Sequence, residues 1–197
     1  MPTTIVDLLR HGELEGGVRY RGNIEATLTE AGYAHMDAVW RHLEGHAAVI
    51  ITSPLGRCRE PAEAWADEAG IPCHIEPRLR EMEYGAWEGL TKPEIEERFP
   101  GWLTRWRENP VGMEIPRAER VESFAARVIE GWESLLREYA GRRTLLVGHS
   151  GTLRIILSHV TGAPLPSMRR FIMPYGSWSR VLHDGNHAYL EYLNRQP

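Results

Sequence analysis

Short runs of consecutive apolar residues alternate along this chain with longer segments in which apolar residues recur every three or four positions. Continuous runs are typical of strands buried on both faces of a parallel sheet, and the spaced pattern is typical of helices that cover such a sheet. Strands are predicted at 5–9, 47–52, 73–75 and 144–147. The alternation indicates an open α/β sheet.

The spaced segments predict helices at about 30–43, 55–69, 123–140 and 152–161. Thr29 and Ser123 are suited to cap the first and third of these helices, because their hydroxyls can accept a hydrogen bond from the first turn. Gly45 and Gly70 are suited to end the first two. On the first helix, we expect a buried face made of Ala31, Ala34, Ala38, Val39 and Leu43.

Two regions are less regular. Residues 93–116 are predicted to form helical pieces broken at Pro100-Gly101 and Asn109-Pro110, and this excursion forms either a lid or an irregular cap on the core. Late strands are expected near 171–173, 178–182 and 189–193. Asp184-Gly185, between the last two, is a hairpin signal.

Composition sets limits on these interpretations. The chain has 197 residues, 42% of them hydrophobic and 25% charged, which suits a single globular domain over 1–197. A net charge of −4 argues against a surface built for nucleic acid. No apolar run is long enough to span a membrane, and no signal peptide is visible. Cys58 and Cys73 lack metal-like spacing, so we expect a cytoplasmic protein with neither nucleic acid nor membrane as a partner.

Histidines follow two of the predicted strands. Arg10 and His11 come at the end of the first strand, just before Gly12, and His149 follows the strand at 144–147 with a glycine close on each side. Ligands of open α/β sheets bind at the carboxyl ends of the strands. Because arginine supplies fixed positive charge and histidine a nitrogen that is largely neutral near pH 7, this edge is predicted to bind an anion.

Further cationic residues are predicted near the same edge. Arg57 lies near a strand end and a helix N-terminus, where free backbone N–H groups favour anions; Arg59 is its alternative, but the two would point to different sides of a helix. The loop at 13–27 is long and glycine-rich and carries Arg19, Arg21 and Gly22. Loops of this length in a compact domain are usually functional.

A general acid is expected in the segment 79–89. Its aromatic residues provide a partly dry setting in which a carboxyl keeps its proton at higher pH than in water. Three glutamates compete for the role, namely Glu81, Glu83 and Glu88, and their spacing does not choose among them.

Two arginines and two histidines around one acid suit phosphoryl transfer. The phosphate oxygens need positive donors, phosphorus needs an in-line nucleophile, and the leaving oxygen needs a proton. A neutral imidazole can attack phosphorus and form a phosphohistidine. A zinc site of His11, His149 and a glutamate is the alternative, which the adjacent arginines disfavour because they repel a dication.

Four motifs together resemble the histidine phosphatase superfamily, also called the phosphoglycerate-mutase-like family. They are Leu9-Arg10-His11-Gly12-Glu13, Ser53-Pro54-Leu55-Gly56-Arg57, the segment from Leu79 to Gly89, and Val147-Gly148-His149-Ser150-Gly151. The resemblance implies a three-layer α/β/α sandwich around a mostly parallel sheet. It assigns His11 as the phosphorylated nucleophile, Arg10, Arg57 and His149 as phosphate ligands, and Glu81 as the acid. It implies no metal or other cofactor.

Within the superfamily the chain looks most like alpha-ribazole phosphatases, which implies a small phosphomonoester as substrate. Substrate contacts are expected from Arg10, Arg57, His149, Glu13, Arg21, Gly22 and Ser150. Leu14 and Gly17 stand where many relatives have threonine and asparagine. Ser150 replaces a glycine that is frequent in the family after the second histidine. Residues 116–123 depart from the sequence that often precedes the long helix in the family. These departures concern the substrate and leave the phosphate ligands intact.

Several alternatives stay open from the sequence. The protein could be a phosphatase for other small metabolites, a phosphoglycerate mutase, or a non-catalytic module that holds a phosphorylated ligand. It could be a monomer or a homodimer. A substrate that carries a base could stack on Trp87, Trp102 or Trp106.

Overall fold

Four apolar runs form the parallel part of a single six-stranded sheet in a computed structural model, which describes residues 2–43 and 46–196. The strands are β1 (Thr4–Arg10), β2 (Val49–Thr52), β3 (Cys73–Ile75), β4 (Arg143–Gly148), β5 (Trp178–His183) and β6 (Ala188–Arg195). The strand order is β3-β2-β4-β1-β5-β6, and β5 and β6 are antiparallel to their neighbours. The predicted sheet is therefore confirmed as mostly parallel.

The register of β1 and β4 determines where the site forms. Arg10, the last residue of β1, pairs with Gly148, the last residue of β4. The two strands thus end at the same level, and the residues that follow them, His11 and His149, leave the sheet side by side.

Helices cover both faces of the sheet. They are α1 (Glu30–Leu43), α2 (Gly56–Ala69), α3 (Lys92–Arg98), α4 (Trp102–Glu108), α5 (Val121–Glu138) and α6 (Ser150–Thr161). One apolar cluster joins α1 and α2 to one face of the sheet, and a second joins α5 and α6 to the other. The three-layer α/β/α sandwich is therefore confirmed. No helix in the described ranges is long and apolar enough to cross a membrane.

The start of α1 is as predicted, but its buried face is not. The Thr29 hydroxyl accepts a hydrogen bond from the Gly32 backbone N–H at 2.9 Å, so Thr29 caps the helix. Val39 and Leu43 are buried with Met36 and Trp40, whereas Ala31, Ala34 and Ala38 are exposed. The expected alanine face was wrong because the larger side chains fill the core. Gly45, predicted to end the helix, lies outside the described residues.

The predicted start of the long helix was also wrong. α5 begins at Val121, so Ser123 lies inside its first turn, and the capping residue is Arg120, which makes no side-chain capping bond. By contrast, α2 ends at Ala69 as predicted, with Gly70 in the left-handed conformation.

Residues 171–173 do not form the predicted strand. The segment is irregular, and its carbonyl groups accept hydrogen bonds from the side chains of Arg154, Asn194 and Arg10 rather than from the backbone of a neighbouring strand. The hairpin between β5 and β6 is as predicted: the Asp184 backbone N–H bonds the His187 carbonyl at 3.1 Å.

The excursion at 93–116 contains α3 and α4, with breaks near the predicted positions. Trp106 on α4 is only 1% exposed, and it packs with Trp87 and Tyr84. This segment therefore packs as a cap that extends the hydrophobic core, and Lys92 at the start of α3 also lines the cavity beside His11.

Candidate active site

His11 and His149 face each other at the carboxyl edge of the sheet. Their ring centroids are 5.3 Å apart, and both residues are buried. The Nδ1 atom of His11 lies 2.8 Å from the Gly12 carbonyl oxygen. Because a carbonyl can only accept, Nδ1 carries the proton, which leaves the lone pair on Nε2 free to act as a nucleophile.

Close backbone packing holds the loop that carries His11. A Cβ atom on Gly12 would lie 2.1 Å from the Gly32 carbonyl oxygen of α1. Only glycine allows this approach, so the glycine after His11 lets the chain turn directly against α1.

His149 is held by residues from the β2–α2 connection. Its Nε2 atom lies 2.7 Å from the Ser53 hydroxyl oxygen, and Cys58 Sγ lies 3.7 Å from the same nitrogen. Burial raises the pKa of the Cys58 thiol to about 12, so the thiol stays neutral beside the ring. His149 occupies the capping position of α6 but makes no side-chain capping bond, and its ring lies against the His11 ring instead.

Arg10 and Arg57 are oriented by backbone carbonyl groups. Arg10 donates to the Met173 carbonyl, and its guanidinium carbon lies 3.8 Å from the centre of the Tyr175 ring. Arg57 donates to the carbonyls of Gly22 and Ile24 at 2.7 and 2.9 Å. Within the described chain, neither arginine has a carboxylate partner, and the buried Nε atom of each lacks a hydrogen bond. Their charge is thus available to an anionic ligand.

The structure shows that Arg57, and not the alternative Arg59, lines the cavity beside His11. Arg59 forms an ion pair with Glu63 at 3.3 Å and does not line the cavity beside His11, whereas Arg57 does. The two side chains point in different directions, as expected from a spacing of two on a helix.

The surroundings of His11 and His149 favour the neutral form of both rings. Burial, together with the positive charges of Arg10 and Arg57, lowers the pKa of His11 well below its ordinary value. Burial also lowers the pKa of His149, helped by Arg57 and by His11 itself. A neutral His11 can attack phosphorus, whereas a protonated one cannot.

This environment predicts an unusual pH profile. A nucleophilic histidine with an ordinary pKa would lose about fourfold in activity between pH 7.5 and pH 6.0, because protonation removes its lone pair. Since the pKa of His11 is lowered, we expect kcat/KM for p-nitrophenyl phosphate to fall less than twofold over this range. Steady-state rates at constant ionic strength measure this, and a fourfold fall with a midpoint near 6.5 would contradict it.

Glu81 is the glutamate that the structure places beside the histidines. Its carboxylate is buried and accepts hydrogen bonds from the backbone N–H groups of Met82 and Gly151, both at 3.0 Å. A Cβ atom on Gly151 would lie 2.2 Å from Glu81 Oε1, so glycine is required there. Glu83 is exposed, and Glu88 accepts hydrogen bonds from the backbone at Asn23 and Tyr84.

Arg127 on α5 braces the segment that carries Glu81. Its guanidinium donates to the carbonyls of Arg78, Arg80 and Glu81 at 2.7 to 3.0 Å and pairs with Glu119. One side chain thus fixes three carbonyl groups within residues 78–81, next to the acid. The sequence carried no signal for Arg127, because its partners are carbonyl groups distant in the sequence.

These groups open into one cavity of about 260 Å³. It is lined by Arg10, His11, Leu14, Val18, Arg19, Tyr20, Arg21, Gly22, Arg57, Glu81, Tyr84, Lys92, Ser150, Arg154, Arg169 and Tyr175. His149 lies directly behind this surface, against the His11 ring. The structure therefore brings together the expected residues Arg10, His11, Arg57, Glu81 and His149, with Arg21, Gly22 and Ser150 around them.

Two expectations about the cavity need correction. Glu13, expected to contact substrate, is exposed and does not line the cavity, because its backbone is packed against α1 and its carbonyl accepts from Thr29. Trp87, Trp102 and Trp106 do not line it either, since they pack into the cap. The aromatic groups on its wall are tyrosines.

Several residues of the wall were not predicted from the sequence. They are Tyr20, Tyr84, Lys92, Arg154, Arg169 and Tyr175. Arg154 could have been found, because it lies one helical turn after Ser150 on α6 and so shares its face. Arg169 lies in a short 3-10 helix and Tyr175 in a turn, and the sequence pattern predicted neither of these elements.

The zinc alternative lacks ligands. In the described part of the chain, no three histidine, cysteine or acidic side chains come together as a metal site requires.

Residues 6–196 match the histidine phosphatase superfamily, branch 1, and the chain belongs to this family. A probable phosphoglycerate mutase GpmB from Photorhabdus laumondii is 32% identical over 89% of this chain and 83% of its own length. The structure of Bacillus stearothermophilus YhfR has a TM-score of 0.89 and 29% identity, covering 95% of both chains. The alpha-ribazole phosphatase from Shigella flexneri has a TM-score of 0.84 and 28% identity, covering 97% of this chain and 96% of its own.

Proposed function

We propose that this protein is a phosphomonoester hydrolase that works through a phosphohistidine on His11 and needs no metal ion. The observation that carries the proposal is the neutral His11 ring, whose Nε2 atom is free and which lines a cavity with two arginines that lack carboxylate partners and one carboxyl group. This is the set of groups that phosphoryl transfer requires.

The first half of the reaction forms the phosphoenzyme. His11 Nε2 attacks phosphorus, an N–P bond forms, and the bond from phosphorus to the leaving oxygen breaks. Glu81 acts as the general acid and gives a proton to that oxygen, so the alcohol leaves as a neutral molecule. Arg10 and Arg57 hold the other phosphate oxygens and balance their charge, and His149, which the family resemblance implies as a further phosphate ligand, contributes as a neutral ring beside His11.

The second half regenerates the enzyme. Glu81, now a carboxylate, takes a proton from water as the water oxygen attacks phosphorus. The N–P bond breaks, inorganic phosphate leaves, and His11 becomes neutral again. The same carboxyl group thus acts first as acid and then as base.

For the physiological substrate, we propose alpha-ribazole 5′-phosphate, which would place the reaction in cytoplasmic cobalamin synthesis. The support is the sequence resemblance and the likeness to an alpha-ribazole phosphatase structure. In the cavity, Tyr20, Tyr84 and Tyr175 offer aromatic surface to a base in place of the tryptophans.

A panel of phosphomonoesters assayed in EDTA tests the function. It compares alpha-ribazole 5′-phosphate with p-nitrophenyl phosphate, 3-phosphoglycerate and several nucleoside and sugar monophosphates. We expect hydrolysis in EDTA and a preference for alpha-ribazole 5′-phosphate of about 100-fold or more in kcat/KM. Phosphate binding without turnover of any compound would contradict the phosphatase activity, and equal rates across the panel would contradict this substrate.

A mutase is the second candidate, because the Photorhabdus laumondii relative is named a probable phosphoglycerate mutase. A mutase must return phosphate to the product before water reaches the phosphoenzyme. Dependence on priming by a bisphosphate, with transfer to phosphoglycerate faster than release of inorganic phosphate, would identify it.

A further inference from the structure

The cavity holds more positive charge than one phosphate group needs. Besides Arg10 and Arg57, its wall carries Arg154 and Arg169 on the side of α6 and the segment 165–175. Among the described residues that line it, Glu81 is the single carboxylate. Apart from Arg19, which pairs with Glu94, the cations beyond the phosphate ligands have no carboxylate partner among the described residues.

Arg154 and Arg169 belong to the outer cations of the wall that have no carboxylate partner among the described residues, and Arg21 and Lys92 are the others. Arg19 has Glu94 at 3.4 Å, and Arg21 donates to the carbonyls of Glu15 and Gly17. Within residues 2–43 and 46–196, neither Arg154 nor Arg169 has a carboxylate within 4.0 Å.

Arg154 is held by a carbonyl group and Arg169 lies near an aromatic ring, and neither of these contacts neutralises the positive charge. Arg154 donates from Nε to the Phe171 carbonyl at 2.8 Å, which leaves its two terminal nitrogens for the cavity. The guanidinium carbon of Arg169 lies 5.7 Å from the centre of the Trp106 ring, and its buried Nε atom has no hydrogen-bond partner. A buried donor without a partner is costly, so a ligand oxygen is its natural acceptor.

The positive charges of Arg154 and Arg169 also repel each other. Burial and the neighbouring charge of Arg169 lower the pKa of Arg154. An anion between the two guanidinium groups would relieve this repulsion and accept forked hydrogen bonds from both.

One short segment connects this pair to the phosphate ligands. The Phe171 carbonyl orients Arg154, and the Met173 carbonyl, two residues later, orients Arg10. Tyr175 then packs on the Arg10 guanidinium. The segment 171–175 therefore sets a fixed spacing between two places where negative charge can bind.

We propose that Arg154 and Arg169 form a second anion subsite, which makes the enzyme favour phosphomonoesters with a second anionic group, either a carboxylate or another phosphate, over their counterparts without that group. This inference rests on the proposed phosphatase function. It concerns the preference within matched pairs of substrates and is tested independently of alpha-ribazole 5′-phosphate.

Matched pairs of substrates test the subsite. 3-Phosphoglycerate and glycerol 3-phosphate differ by a carboxylate in place of a hydroxymethyl group, and fructose 1,6-bisphosphate and fructose 6-phosphate differ by one phosphate. We expect wild-type kcat/KM to be about tenfold or more higher for the anionic member of at least one pair, since charge-assisted hydrogen bonds bind it. The pair that shows the preference identifies the second anion.

Variants then show which residues cause the preference. Arg154→Met and Arg169→Met keep the length and apolar character of the side chain and remove its charge. We expect each to lower kcat/KM for the preferred substrate at least about fivefold more than for its matched partner. Arg170→Met is the control, because Arg170 is exposed and does not line the cavity, and its two values should stay within about twofold of wild type.

The outcomes separate this inference from the phosphatase function. If glycerol 3-phosphate and p-nitrophenyl phosphate are hydrolysed but wild type prefers neither anionic partner, the subsite is wrong and the phosphatase function stands. Equal losses on both members of a pair in both variants would also overturn the subsite. If no compound is hydrolysed, the phosphatase function itself fails. The wild-type comparison does not depend on any variant folding.

Discussion

His11→Ala is expected to lose at least about 10³-fold in kcat for every phosphomonoester, because the variant has no nitrogen on which to form the phosphoenzyme. Arg10, Arg57 and Glu81 remain, but they only bind phosphate and supply a proton. Steady-state rates on p-nitrophenyl phosphate in EDTA measure the loss. Rapid quenching with ³²P-labelled substrate provides the second readout: wild type should show acid-labile, base-stable label on the protein, and the variant none.

The matched control is His187→Ala. His187 is an exposed residue of the β5–β6 hairpin, away from the cavity, so its replacement should leave kcat within about twofold of wild type. Activity of His11→Ala at a tenth of wild type or more would show that water attacks phosphorus directly, and the phosphohistidine mechanism would have to be abandoned.

The phosphate-binding part of the site could be predicted because each of its residues follows a clear strand signal. Arg10 with His11, and His149, come immediately after buried apolar runs, and parallel strands bring their carboxyl ends together. The choice of Glu81 among three glutamates was different. It came from the family resemblance, and the structure supplies the local reason in the two backbone N–H groups that hold the Glu81 carboxylate.

The part of the cavity that contacts the rest of the substrate could not be predicted in the same way. Arg169 and Tyr175 lie on either side of the irregular segment 171–173, where the apolar residues suggested a strand. That segment is held by arginine side chains distant in sequence, Arg10 and Arg154, so its conformation depends on tertiary contacts that periodicity does not report. The spacing of the alanines in α1 likewise did not predict the buried face of that helix, because the larger side chains of Met36 and Trp40 fill the core.

The largest effect outside His11 is expected for Glu81→Gln, and its size should depend on the leaving group. An alkoxide is a poor leaving group without a proton, so kcat/KM for glycerol 3-phosphate should fall about 10²–10⁴-fold. p-Nitrophenolate is a stable anion near neutral pH and needs no proton, so kcat/KM for p-nitrophenyl phosphate should fall less than about tenfold. Glutamine fits the same space and still accepts a hydrogen bond from Met82 or Gly151.

The same variant should also expose the second half-reaction. Without a carboxylate to activate water, the phosphoenzyme breaks down slowly, so p-nitrophenyl phosphate should give a burst of nitrophenolate equal to the enzyme concentration, followed by a slow steady state. Glu83→Gln is the control, because Glu83 is the exposed glutamate two residues away. Equal losses of Glu81→Gln on both substrates without a burst would mean that Glu81 only supports the fold of the site, since a purely structural defect does not distinguish leaving groups.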